Sequence, residues 1–267
     1  MLEVLRSPAP GQRFRCALFD FDGTVSLIRE GWQNVMVPYF LEVLLAADPA
    51  AEKDEAEREV RGFVDALTGK QTIYQCMALC EAVSKRGGKP LTPGAYKAEY
   101  LRRLALKTAD RKTALASGEK QPEELSVKGS LPFLRRLTDL GVACYLASGT
   151  DEADVKNEAA LLGADRFFRG GIFGARDDLT DCSKEAVIAS LLDSGEIAPA
   201  SLLGFGDGFV EISLVHEAGG YAVGVATDEK RGGIDEAKRE RLIGAGADAI
   251  IPDFSESEPL LRLLGLL

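Results

Sequence analysis

Five short apolar runs constrain the fold of this chain more than any other feature of its sequence. They span residues 16–19, 142–147, 202–205, 221–225 and 247–251 and are nearly continuous rather than alternating. Continuous runs of this length are typical of strands that are buried on both faces of a sheet. Segments with helical periodicity separate the last four runs, so the pattern predicts an α/β fold with a doubly wound, parallel sheet.

The helical segments carry start and stop signals of their own. Residues 131–140 end before Gly141, and residues 211–218 end before a glycine pair. Ser183 is a candidate N-cap for a helix that ends at Gly195, because a serine hydroxyl can accept a hydrogen bond from the first turn. These signals support a helix before each of the second, third and fourth predicted strands.

The first and second runs are separated by roughly a hundred residues, far more than one crossover needs. This stretch is rich in Ala, Leu, Glu, Lys and Arg, and it contains helical candidates at about 31–47, 51–67, 72–85 and 94–106. The polar segment 108–126 has the composition of a return linker. We therefore predict an α/β core over 1–28 and 126–267, with an all-helical insertion and its linker over 29–125.

Charge and hydropathy exclude several classes of partner. The chain has 42 acidic and 32 basic residues, a net charge of −10, which disfavours binding to nucleic acid or to anionic lipid. No apolar stretch is long enough for a membrane span, and the first residues lack the apolar run of a signal peptide. An anionic small substrate stays possible if its site supplies a positive charge or a metal ion.

Cysteine usage indicates a reducing compartment. The five cysteines are widely spaced, form no Cys-x-x-Cys pair and are odd in number; they are Cys16, Cys76, Cys80, Cys144 and Cys182. Reduced thiols, with Cys16 and Cys144 as small core residues, are the simplest interpretation. The expected location is the cytoplasm, and the expected oligomeric state is a monomer or a homodimer.

Acidic residues follow two of the predicted strands. Asp20 and Asp22 come directly after the first run, and Asp207 follows the third. Ligands bind outside the carboxyl ends of the strands in open α/β sheets, so these side chains are expected to meet. Crowded carboxylates repel unless a cation or a proton intervenes, and an oxygen-only set suits a hard ion such as Mg²⁺.

An anion site is predicted beside this cation site. Ser148 and Gly149 follow the second run, where a hydroxyl and a backbone amide at a helix N-terminus can hold a phosphate. Lys184, near the start of its helix, supplies a compact positive charge.

These residues resemble the motifs of the haloacid dehalogenase-like hydrolase superfamily. Residues 19–25 (Phe-Asp-Phe-Asp-Gly-Thr-Val) resemble its first motif, 147–150 (Ala-Ser-Gly-Thr) its second, Lys184 its third and 206–211 (Gly-Asp-Gly-Phe-Val-Glu) its fourth. The resemblance covers about 14–30 and 126–267 and is greatest to the phosphoglycolate-phosphatase-like branch. The helical insertion is similar to the helical cap of that branch.

The resemblance implies a Mg²⁺-dependent phosphohydrolase that acts on a small phosphorylated metabolite through an aspartyl-phosphate. Asp20 would be the nucleophile and Asp22 the general acid and base. The implied metal ligands are Asp20, the backbone carbonyl of Asp22 and Asp207, and the implied phosphate ligands are Ser148, the Gly149 amide and Lys184.

Glu211 departs from the family pattern, whose fourth motif often ends in Asp. The extra methylene moves the carboxylate by about 1.5 Å, the length of one C–C bond. We therefore expect that Glu211 does not bind the metal directly. It would bind the ion through a water molecule or form a hydrogen bond with a water that is a metal ligand.

The helical insertion would exclude water from the site and recognise the leaving group of the substrate. Candidate specificity residues are Arg29, close after the first motif, and Lys70, Gln71 and Tyr74, at and after a predicted turn.

Several alternatives can be weighed against these motifs. An Asp at position 22 favours a phosphatase or phosphomutase over a dehalogenase or a phosphonate-cleaving enzyme. This chain lacks the glycine-rich motifs of nucleotide-binding α/β proteins. A phospho-acceptor signalling domain would not explain the long helical insertion. A phosphomutase, or a non-catalytic member that binds a phosphate ligand, stays open.

Overall fold

A computed structural model describes residues 2–176, 184–193 and 197–267. Within these residues the strands are β1 (Glu3–Val4), β2 (Cys16–Phe19), β3 (Ala143–Asp151), β4 (Gly171–Ala175), β5 (Leu202–Gly206), β6 (Tyr221–Val225) and β7 (Ala249–Ile251). The helices are α1 (Gln33–Ala47), α2 (Lys53–Ala66), α3 (Thr72–Lys85), α4 (Pro93–Ser117), α5 (Ser130–Asp139), α6 (Glu152–Leu161), α7 (Lys184–Asp193), α8 (Phe209–Glu217), α9 (Glu236–Gly244) and α10 (Ser257–Leu263).

The strands form one sheet in the order β1-β7-β6-β5-β2-β3-β4. Every pairing is parallel except that of β1 with β7. The chain runs from β2 through β3 to β4 on one side of β2 and then returns to β5 on the other side. The predicted doubly wound α/β sheet is therefore confirmed, and its topological switch point lies beside β2, where ligands bind in folds of this kind.

Both faces of the sheet are buried, which explains the continuous apolar runs. Alternate residues of β2 point to opposite faces: Ala17 and Phe19 pack in one core, and Cys16 and Leu18 pack in the other. Phe19 stacks on Phe205 of the neighbouring β5 at 4.6 Å between ring centroids. The central strands are thus held from both sides at the point where the polar residues begin.

Two strands were not predicted from the sequence. β1 has only two residues, too few to show a periodicity, and β4 contains two glycines, which weaken the strand signal. Both lie at the edges of the sheet, away from its central strands.

The chain forms two compact units: residues up to Glu30 together with Arg111–Leu267, and Gly31–Asp110. The second unit contains α1 to α3 and most of α4, around a core of Phe40, Leu44, Val64 and Leu79. The predicted linker at 108–126 is helical as far as Ser117, because its alanines, lysines and leucine favour a helix despite their polar neighbours. The predicted insertion, 29–125, is therefore longer than the second unit, which begins at Gly31 and ends at Asp110.

Some predictions fall outside the described residues, namely the Ser183 cap, the Gly195 helix end and Cys182. Cys16, Cys76 and Cys144 are buried and carry free thiols. Across the described part of the chain, every helix is too short or too polar to cross a bilayer.

Candidate active site

Three carboxylates meet at the carboxyl ends of the central strands. Asp20 follows β2 directly, Asp207 follows β5 directly, and Glu211 lies in the first turn of α8. One oxygen from each residue lies within 4.8 Å of the others. β2 and β5 are parallel neighbours with Phe19 opposite Phe205, so Asp20 and Asp207 leave the sheet close together.

The ammonium of Lys184 lies among these carboxylates. Its Nζ is 2.8 Å from Oδ1 of Asp20 and 2.7 Å from Oε2 of Glu211, and the side chain is buried. Burial raises the pKa of Asp20 well above its usual range, the Lys184 charge opposes that rise, and the Glu211 and Asp207 charges add to it. Burial also disfavours the ammonium, yet the two carboxylates beside it raise the pKa of Lys184. The lysine therefore stays charged.

Glu211 is held at both of its carboxylate oxygens. Oε1 accepts a hydrogen bond from the Gly208 amide at 2.7 Å, which caps α8, and Oε2 accepts one from Lys184. A Cβ at Gly206 would overlap the Glu211 side chain, so the glycine provides the space that the longer acid needs. The Glu211 carboxylate lies within the acidic cluster, and its expected role outside the direct metal ligands stays a prediction.

Asp22 has a different environment from Asp20. Its Oδ2 accepts a hydrogen bond from the Thr150 hydroxyl at 2.8 Å, whereas its Oδ1 is buried and has no partner among the described residues. Burial raises the pKa of Asp22 to about 6, although the Arg29 charge opposes the rise. Such a carboxyl can hold a proton near neutral pH, as a general acid must.

Ser148 and Gly149 lie within β3, which runs on to Asp151 through a shift of register. The prediction that they begin a helix is therefore wrong, because α6 starts only at Glu152. Ser148 is buried, and its Oγ accepts a hydrogen bond from the Thr150 amide at 3.1 Å. Both residues lie at the carboxyl end of a strand that pairs with β2, the edge where a phosphate site was expected.

The side chain of Arg29 is buried in an ion-pair cluster. Its guanidinium donates to both carboxylate oxygens of Glu158 at 2.9 to 3.1 Å and to Asp154 at 3.1 Å. Lys112 is also paired with Glu158, which is completely buried. These contacts argue against the predicted substrate contact by Arg29 and indicate a structural role near Asp22.

The remaining specificity candidates lie in the helical unit. Lys70 and Tyr74 are exposed, whereas Gln71 is buried. Lys70 lies in a turn between α2 and α3, where its amide donates to the Leu67 carbonyl at 3.1 Å. Contact of these residues with a substrate stays a prediction.

Two further charged residues beside Asp207 were missed by the sequence argument. Nζ of Lys238, in α9, is 2.8 Å from Oδ2 of Asp207 and 3.1 Å from Oε1 of Glu229. Glu229 belongs to the loop after β6, so extending the strand-end argument to the fourth apolar run could have found it. Lys238 lies in a mostly polar helix that gives no such signal.

The donor set fits a hard divalent cation. Asp20, Asp207 and Glu211 offer only oxygen ligands. Oxygen ligands of this kind are typical of Mg²⁺ sites. The acidic cluster could therefore hold a metal ion.

Comparison with known proteins agrees with this arrangement. The model of the haloacid dehalogenase-like hydrolase family matches residues 14–219. A predicted phosphoglycolate phosphatase of Haemophilus somnus is similar in structure, with a TM-score of 0.59, 17% identity, and coverage of 92% of this chain and 97% of that chain. β-Phosphoglucomutase of Clostridium difficile has a TM-score of 0.59 at 14% identity, covering 94% and 97%.

A third similar structure is that of the hydrolase YfnB of Bacillus subtilis, which is bound to magnesium. Its TM-score is 0.56 at 16% identity, covering 94% of this chain and 99% of that chain. No curated protein matches in sequence. At these identities the structural likeness establishes the fold.

Proposed function

The chain belongs to the haloacid dehalogenase-like hydrolase family, and on that basis we propose that it is a Mg²⁺-dependent phosphatase of small phosphorylated metabolites. The observation that carries the proposal is the contact of 2.8 Å between Lys184 and Asp20. The contact orients a buried carboxylate, and the ammonium favours its charged form against the effect of burial, as a nucleophile for phosphoryl transfer requires.

Asp20 supplies the nucleophilic oxygen. That oxygen attacks phosphorus in line with the ester oxygen, so an Asp20–phosphorus bond forms while the phosphorus–ester bond breaks. Attack by water on the aspartyl-phosphate then releases inorganic phosphate and restores the Asp20 carboxylate. Lys184 stays beside Asp20 throughout and offsets the charge of the phosphoryl oxygens.

Asp22 moves the proton. Its Oδ1, which has no partner in the described part of the chain, holds the proton that the departing ester oxygen receives, and the same atom later accepts a proton from the attacking water. The Thr150 hydroxyl fixes the carboxyl by its bond to Oδ2.

The residues that would hold Mg²⁺ are Asp20, Asp207 and the backbone carbonyl of Asp22, and Glu211 would act on the ion through a water molecule. When bound, the ion would offset the charge of the carboxylates and the phosphate, which otherwise repel. Ser148, the Gly149 amide and Lys184 are proposed to bind the phosphate oxygens. Lys70, Gln71 and Tyr74 are proposed to select the leaving group.

The test is hydrolysis of p-nitrophenyl phosphate, with Mg²⁺ or with a chelator. We expect turnover that the chelator abolishes and that Asp20→Asn lowers by several orders of magnitude. Asp139→Asn, on the exposed surface of α5, is the matched control. Activity that is indifferent to chelation, or retained by Asp20→Asn, contradicts the proposal, and a folded protein that binds phosphate without turnover favours the non-catalytic alternative.

A phosphomutase is the second candidate, because β-phosphoglucomutase shares the fold and the same residues would serve it. A mutase returns the phosphoryl group to a substrate hydroxyl, whereas a phosphatase transfers it to water. Release of stoichiometric inorganic phosphate from a sugar phosphate, with no isomer formed, would decide for the phosphatase.

A further inference from the structure

Asp207 is bound by a second buried ammonium that lies outside the four motifs. Nζ of Lys238 is 2.8 Å from Oδ2 of Asp207, and the lysine is 7% exposed. Its other carboxylate partner is Glu229, at 3.1 Å. Few lysines are buried this deeply, and those that are have a paired charge, as here.

The backbone of this lysine is fixed as firmly as its side chain. Asp235 is the N-cap of α9, and its carboxylate accepts a hydrogen bond from the Lys238 amide at 2.9 Å. The helix start therefore directs the lysine toward Asp207, and Glu229 holds its ammonium from the other side.

The Asp207 carboxylate is also confined by the first motif. A Cβ at Gly23 would lie 2.7 Å from Cγ of Asp207 and 3.1 Å from Oε1 of Glu229, so the backbone of that loop packs directly on both acids. Asp207 is thus enclosed by the Gly23 backbone and the Lys238 ammonium, and it contributes an oxygen to the acidic cluster with Asp20 and Glu211.

We propose that Lys238, anchored by Glu229, is a positioning residue that holds one oxygen of Asp207 and so presents the other to the metal. The inference rests on the proposed metal-dependent function. Groups that orient a metal ligand in this way typically contribute about 10- to 100-fold to metal affinity. A purely electrostatic role predicts the opposite sign, because a cation beside the site repels Mg²⁺ and its removal would tighten binding.

The experiment measures Mg²⁺ binding by calorimetry, without substrate, to the full chain and to three variants. Lys238→Met is expected to raise the Kd for Mg²⁺ about 10- to 100-fold. The double variant Lys238→Met/Glu229→Gln removes one positive and one negative charge, so its net charge equals that of the unmodified protein. It leaves one carboxylate, Asp207, without an ammonium partner instead of the two that Lys238→Met leaves, so it is expected to fold better than the single variant.

The double variant decides between positioning and charge. Weakened binding in a folded double variant supports positioning, whereas an unchanged or lower Kd overturns it. Asp207→Asn is the reference for loss of the ligand itself. Absence of Mg²⁺ binding by the unmodified protein would instead overturn the proposed function, so the two failures are distinguishable.

Discussion

The Glu211 carboxylate lies 2.7 Å from the Lys184 ammonium, which in turn lies 2.8 Å from Asp20. Two buried acids therefore share one buried base. Glu211 holds the lysine in place from α8, while the same carboxylate caps that helix through the Gly208 amide. The acid in the fourth motif thus connects the helix start to the proposed nucleophile through one lysine.

Shortening the Glu211 side chain should break one of its two contacts, either with Lys184 or with the Gly208 amide. In Glu211→Asp the carboxylate withdraws by about 1.5 Å, so it cannot reach Lys184 and the Gly208 amide together. We expect kcat/KM for p-nitrophenyl phosphate to fall about 10-fold or more, as is typical when a group that orients an active-site residue is lost. Glu217→Asp, at the exposed end of the same helix, is the control, and equal effects of both changes would contradict the role.

Removal of the proton donor should affect poor leaving groups most. Asp22→Asn is expected to slow hydrolysis of alkyl phosphates by about 10²- to 10⁴-fold and that of p-nitrophenyl phosphate much less, because nitrophenolate leaves without a proton. A leaving-group series measures the difference, and an equal loss across the series would exclude a general-acid role.

The same carboxyl predicts a pH dependence. Because burial raises the pKa of Asp22 to about 6, the group is protonated below that pH and loses its proton as the pH rises through it. The rate ratio of alkyl to aryl phosphate should therefore fall above about pH 6 in the unmodified protein. It should be flat in Asp22→Asn, and a ratio that rises with pH would contradict the assignment.

How much of the site the sequence could predict depends on which structural rule places each residue. Asp20 and Asp207 follow adjacent parallel strands, so a strand-end argument is sufficient to bring them together. Lys238 reaches the site from a helix whose distance from Asp207 depends on the path of the preceding loop, and no periodicity encodes that path. Likewise, β3 continues through a register shift to Asp151, which no local pattern at Ser148 and Gly149 indicates.

The insertion illustrates the same distinction for the fold. Its first three helices lie close to their predicted ranges, because residues such as Ala, Leu, Glu and Lys favour a helix. The fourth helix was predicted to end near residue 106 because the polar segment after it, with Gly118 and Pro122, has the composition of a linker, yet helix-forming residues extend α4 to Ser117. Arg29 was chosen for its distance from Asp22 along the chain, whereas its partner Glu158 is visible only in three dimensions.

The Glu158 cluster should matter chiefly for stability. Glu158→Gln leaves the buried Arg29 guanidinium without its main partner, and loss of one member of a buried ion pair costs about 3–5 kcal/mol. Glu258→Gln, which breaks an exposed pair with Arg262, should cost no more than about 1 kcal/mol. Urea unfolding measures both variants, and similar losses would show that the burial of Glu158 adds nothing.

Substitutions in the helical unit should change substrate preference. Lys70→Ala and Tyr74→Phe are expected to raise KM for the best phosphorylated metabolite found by screening, while leaving turnover of p-nitrophenyl phosphate nearly unchanged. Lys53→Ala, an exposed position at the start of α2, is the control. If neither variant alters the preference among metabolites, the specificity assignment is wrong.

Gly23 offers a test of how closely Asp207 must be packed. The residue has a φ of +76°, and an added Cβ would lie 2.7 Å from Cγ of Asp207. Gly23→Ala should therefore displace the carboxylate and weaken Mg²⁺ binding, in addition to the strain of a left-handed conformation, about 1–2 kcal/mol. Gly118→Ala isolates the strain, because Gly118 has a φ of +74° and nothing within 4 Å of the added carbon. Both variants should be destabilised, but only Gly23→Ala should raise the Kd for Mg²⁺; an unchanged Kd would mean that Asp207 can move aside and still bind the metal.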